Sequence, residues 1–66
     1  METIEAFADE TVFRNDENGY TVLVVKAGKS CVSAVGIMPP IASGEKLRIT
    51  GDWTEHPVYG RQIKVQ

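Results

Sequence analysis

The chain is poor in the groups that small proteins use to hold themselves together or to carry out chemistry. It has 66 residues and a single cysteine, Cys31, so no disulfide forms within the chain. A domain this short buries a modest share of its surface and is only marginally stable without a staple. A lone cysteine beside apolar residues suits a reducing compartment and reads as a small strand residue. There is one histidine, His56, and it lies 25 residues from Cys31, so no metal-ligand spacing exists. No nucleophile stands near a base. The longest wholly apolar run is Val22-Leu23-Val24-Val25, far short of a membrane span. The N-terminus, Met1-Glu2-Thr3-Ile4-Glu5, is acidic and has no apolar signal region. These absences point to a cytoplasmic chain with no membrane, no small-molecule substrate and no cofactor of its own. An independent enzyme is the least favoured class.

Gly28-Lys29-Ser30 resembles the end of a phosphate-binding loop. The full motif needs a glycine five positions earlier, where this chain has Leu23. The tripeptide therefore reads as a hairpin turn. His56 precedes Pro57, which biases it toward extended backbone, and reads as a turn residue. Asp16 and Glu17 read as a solvated turn.

What is present is alternation with a period of two. In residues 45–54, Leu47, Ile49 and Trp53 face one way, while Lys46, Arg48, Thr50 and Asp52 face the other. Residues 20–27 are apolar on both faces, so this strand is expected to be central and covered on both sides. Residues 3–13 form a first strand, preferred over a helix in residues 2–10 because Thr11-Val12-Phe13 runs straight into the next turn. Asn18-Gly19 signals a hairpin, since both types tolerate positive φ. A second tight turn at residues 27–30 leads to a third strand, residues 31–37, with Val32, Val35 and Ile37. Pro39-Pro40 stops it, Ser43-Gly44 opens the fourth strand, and His56-Pro57 and Tyr59-Gly60 turn into a fifth.

Five strands joined by short turns make an all-β domain, and strands one to three form a meander. Closing a small sheet into a barrel hides its edges. The expected architecture is a five-stranded antiparallel barrel of OB-fold type, with an SH3-like barrel as the competitor. Gly36 and Gly51 would permit the bends. The seven residues from Met38 to Gly44 are too few for the helix that many OB-folds place between strands three and four.

Net charge is −2 but uneven. Residues 1–19 hold six acids against Arg14 alone, and residues 20–66 carry a balance of +3. The second part suits a weakly basic face toward phosphates, or simply a solvated outer face. The aromatics are Phe7, Phe13, Tyr20, Trp53 and Tyr59. Phe7, Phe13 and Trp53 read as core. Tyr20 and Tyr59 flank turns and are the candidates for stacking bases. Arg48, Arg61 and Lys64 are candidate phosphate contacts, provided strands four and five lie side by side.

Two separated segments are familiar. They are Asn15-Asp16-Glu17-Asn18-Gly19-Tyr20 and Trp53-Thr54-Glu55-His56-Pro57-Val58-Tyr59-Gly60-Arg61-Gln62, with Val35-Gly36, Gly44-Glu45 and Gly51-Asp52 between them. Together they resemble the N-terminal domain of bacterial RecD-like DNA helicases, the exodeoxyribonuclease V alpha-subunit-like family. The resemblance is clearest over residues 13–66, and neither motif is catalytic. It implies a parent of several hundred residues whose motor domains bind ATP and magnesium and move 5′ to 3′ on single-stranded DNA. These 66 residues lack that machinery. The sequence ends on a strand, as expected of a domain excised from a longer protein. Two roles follow from the resemblance: handling single-stranded DNA, or docking on the remaining helicase domains or a repair partner without touching nucleic acid. A free-standing single-strand-binding protein is a third reading.

Overall fold

Residues with branched or aromatic side chains dominate the alternating stretches, and they form strands because a pleated surface accommodates side-chain bulk at Cβ. The computed structural model describes residues 1–58 and 60–66. It contains β1 (Glu2–Asn15), β2 (Tyr20–Ala27), β3 (Ser30–Ile37), β4 (Lys46–His56) and β5 (Gly60–Val65). No helix occurs among the described residues. The strands close in the order β1-β2-β3-β5-β4, with β4 returning to β1. The expected barrel and its five strands are therefore present. The expectation of a wholly antiparallel sheet is corrected: β3 and β5 run parallel, with Ser33, Ala34 and Val35 opposite Gln62, Ile63 and Lys64. The reason is topological. The 38–45 connection and β4 carry the chain across the barrel, so β5 enters beside β3 in the same direction.

One long strand serves two neighbours. The first half of β1 pairs with β4, from Glu2 opposite Gly51 to Phe7 opposite Lys46. Its second half pairs with β2, from Phe7 opposite Lys26 to Asn15 opposite Tyr20. Register shifts between Ala8 and Glu10 and between Thr11 and Phe13 bulge the strand at Asp9 and Val12. Bulges bend and twist a strand, which lets β1 wrap around a small barrel.

Inward-facing positions build the core: Ala6 and Ala8 of β1, Leu23 and Val25 of β2, Ala34 of β3, Ile49 of β4 and Ile63 of β5. Met38, from the connection after β3, packs with them, and Trp53 lies half-buried against them. Phe7 and Phe13 are not core residues, contrary to expectation. They are 53% and 52% exposed. Phe7 alternates with Ile4, Ala6 and Ala8, so its ring must point outward, and the interior of so narrow a barrel is filled by alanines on this strand. β2 pairs on both edges, as every strand of the closed ring does, but it is not covered on both faces as expected: its outer residues Val22 and Val24 are only half-buried. The closed sheet supplies a single inner face, and no second layer lies outside it among the described residues.

The β1–β2 loop is organised by side chains. Asn18 Oδ1 accepts the Tyr20 N–H at 2.8 Å, and Asn15 Oδ1 accepts the Glu17 N–H at 2.9 Å. Only Gly19 takes a positive φ, +80°. Asn18 thus contributes a side-chain acceptor and not the left-handed backbone that the Asn-Gly pair suggested. Gly28-Lys29 forms the two-residue turn between Ala27 and Ser30, which are register partners.

Arg14 locks this end of the barrel. Its Nη1 donates to Thr21 Oγ1 at 2.9 Å and to the Met38 carbonyl at 2.8 Å, while Nε donates to Asp16 at 2.9 Å. Thr21 is 3% exposed, and its hydroxyl donates to the Gly19 carbonyl. Asp16 is solvated, so its ion pair adds little and the two less exposed bonds carry the effect. Arg14→Ala is expected to cost about 1–3 kcal/mol, the range for orphaning partly buried acceptors of a charged donor. Urea unfolding checks this, and an unchanged midpoint would show that water replaces the guanidinium without loss.

Candidate nucleic-acid interface

Outward-facing residues of β2 form the spine of one surface: Tyr20, Val22, Val24 and Lys26. Each heads a row running across the sheet. Asn15, Tyr20 and Ile37 are in register. So are Phe13, Val22, Val35, Lys64 and Asp52, a row that crosses all five strands. A third row holds Glu10, Val24, Ser33, Gln62 and Thr54.

Phe13 and Tyr20 stand side by side, with ring centroids 6.4 Å apart and planes inclined at 57°. Tyr20 is 39% exposed, and Ile37 and Val12 are more exposed still. Val12, Phe13, Val22, Val24, Ser33 and Gln62 line a depression of about 300 Å³. A monomeric barrel gains nothing from leaving two adjacent rings in water. Exposed flat apolar groups grouped in this way mark a contact surface.

The candidate residues divide. Tyr20 lies on this surface, and Lys64 shares the row of Phe13, three strands away or roughly 14 Å at the usual strand spacing. Arg61 lies elsewhere. Its guanidinium sits 4.2 Å from the centroid of the Trp53 ring, whose Nε1–H donates to Glu2 at 2.9 Å. Trp53 and Arg61 share the inward parity of Ile63 and meet where the barrel ends, so this cation is held on an indole face. Arg48 is also apart. β4 and β5 do pair, but only from Gly51 opposite Val65 to His56 opposite Gly60, so Arg48 lies beyond the end of β5. It faces Glu5 of β1 and forms an ion pair with it at 3.4 Å. Tyr59 lies outside the described residues.

Phe13 was missed because its size suggested the core. The signal that would have found it is its register beside an outward valine, which sequence alone hides because two bulges intervene. Among the described residues no group of three or more His, Cys, Asp or Glu residues is placed to hold a metal ion. None of their helices is long and apolar enough to cross a membrane.

A five-stranded closed sheet with this order and a parallel β3–β5 pair agrees with the OB-type reading. Over residues 1–66 the sequence matches the family described as the OB-fold domain of the ATP-dependent DNA helicase YrrC. The chain belongs to that family. The YrrC OB-fold family is a helicase-domain family, which agrees with the resemblance carried by the Asn18-Gly19-Tyr20 and His56-Pro57 segments. No curated protein and no solved structure matches the chain. Its membership thus gives the fold a helicase context, and the surface described above is where this YrrC-type domain exposes its flat side chains.

Proposed function

We propose that this domain is the N-terminal accessory module of a larger cytoplasmic RecD-like 5′–3′ helicase acting in DNA recombination or repair, and that it guides single-stranded DNA. ATP and magnesium belong to the parent's motor domains and not to these residues. The observation that carries the reading is the exposed Phe13–Tyr20 pair on the outer face of a helicase-family OB-fold. Bases stack on such rings without regard to sequence, and Lys64 on the same face would neutralise a phosphate. Arg61 at the barrel end and Arg48 beside Glu5 are secondary contacts in this scheme. The apolar character of the Val12–Val24 depression favours one rival, docking on the helicase body with no nucleic-acid contact.

An NMR titration with oligothymidylate at low and moderate salt separates the two. DNA guidance predicts shifts on Phe13, Tyr20, Val22, Val24 and Lys64 that fade as salt rises. The affinity should fall with a log–log salt slope of about −1 to −2, since each neutralised phosphate of a single strand adds about −0.7 and few cations are at hand. An unshifted spectrum at low salt would sink this proposal in favour of docking.

A further inference from the structure

At the opposite end of β2 from Tyr20, the fourth cross-strand row holds Lys46, Phe7, Lys26 and Cys31. Phe7 is the one residue of β1 with register partners on both sides, Lys26 in β2 and Lys46 in β4. Its ring points outward and is 53% exposed. Residues directly opposite across a sheet have Cβ atoms about 5 Å apart, so the flexible stems of two lysines start on either side of one exposed ring. Among the described residues the ion pairs are those of the N-terminus with Asp52, Arg14 with Asp16 and Arg48 with Glu5. Lys26 and Lys46 are in none of them. Of the acids close to them in the sequence, Glu5 is paired with Arg48 and Glu45 accepts the Ala42 N–H at 3.3 Å, while Asp9 is set off from Phe7 by the first bulge of β1.

We infer that Phe7, Lys26 and Lys46 form a second anchor for single-stranded nucleic acid, built across β4, β1 and β2. A flat apolar ring with a cation on each side matches a nucleotide, whose base has a stacking face and whose two flanking phosphates are anionic. The outer row of β2 connects this anchor to the first. From Tyr20 to Lys26 the strand covers roughly 20 Å, with Val22 and Val24 between. The bound strand runs along β2, its bases on the Phe13–Tyr20 pair at one end and on Phe7 at the other. The inference rests on the DNA-guiding reading and adds the second contact and the path between them.

Fluorescence anisotropy with labelled oligothymidylates of about four and about ten nucleotides tests it, both lengths lying within the range of about 4–16 nucleotides that OB-folds bind. In Phe7→Ala the affinity for the longer oligonucleotide is expected to fall about five-fold or more, while the shorter one is unaffected. In the Lys26→Gln/Lys46→Gln double variant the salt slope should become shallower by about 1.4 for the longer oligonucleotide only. Circular dichroism melts identify folded variants, and all three side chains are exposed. Unchanged long-oligonucleotide affinity and slope in these variants, with binding weakened in Phe13→Ala/Tyr20→Ala, would overturn the second anchor and leave the first standing. A Phe7→Ala loss equal at both lengths overturns it as well. Failure of the wild-type domain to bind either oligonucleotide overturns the DNA-guiding reading itself.

Discussion

Gly51→Ala is expected to lose about 3 kcal/mol of stability or more, at the upper end of what overpacking costs. Gly51 is a buried position of β4, paired with Glu2 on one side and Val65 on the other. A Cβ built there would sit 2.0 Å from the Lys64 carbonyl oxygen and 2.8 Å from its carbonyl carbon. These are backbone atoms of β5, which no rotamer change can move aside. The methyl group must push β5 away from β4, and β5 is also the strand that closes the barrel through its three-residue pairing with β3. A 66-residue domain has about 3–10 kcal/mol in total at the usual stability per residue. The loss takes at least about a third of that margin, so the variant should melt well below the wild type. Thermal and urea denaturation followed by far-UV circular dichroism check this. A melting point within a few degrees of wild type would mean that β5 can shift without cost, and that the close approach is not what holds the barrel shut.

Phe13→Ala/Tyr20→Ala should weaken DNA binding by about 30-fold or more while leaving the fold intact. Stacking is worth about 1–3 kcal/mol per base, so removing two rings lowers affinity by a factor on the order of 30 to 10⁴. Both side chains are more than a third exposed, and Leu23, Val25, Ala34 and Ile63 form the core without them. Their truncation removes no core packing. The single variants complete a double-mutant cycle, and because the rings touch, their effects should not add. Retention of wild-type affinity in the double variant would remove the Phe13–Tyr20 face from the path of the DNA.

The strands and their turns were legible in the sequence because both signals are local. Alternation over residues 45–54 marked β4, and the Ile4-Ala6-Ala8 parity was there to be read on β1. Asn18-Gly19, Gly28-Lys29 and Pro39-Pro40 punctuate the chain where its strands stop. The family was legible for a similar reason, since its two motifs are contiguous segments. The site was legible only in fragments. Tyr20 beside its turn was recognised as exposed. Phe7 and Phe13 were assigned to the core on size, but volume is a poor guide in a barrel whose β1 interior is lined by alanines. Arg48, Arg61 and Lys64 lie on strands that do pair, yet they do not converge. The register of β4 against β5 places Arg48 past the end of β5, and Arg61 rests on Trp53.

By itself, then, the sequence determined the strand count, the turn positions, the family and the absence of the motor motifs, all of which depend on neighbouring residues or short spacings. The tertiary structure alone decided the parallel β3–β5 closure, the contact of Gly51 with the β5 backbone, the outward aim of both phenylalanines and the row that sets Phe7 between Lys26 and Lys46. Each of these depends on which strands lie side by side and in what register. Bulges at Asp9 and Val12 and a closed ring of five strands set that register, and no stretch of the chain carries it alone.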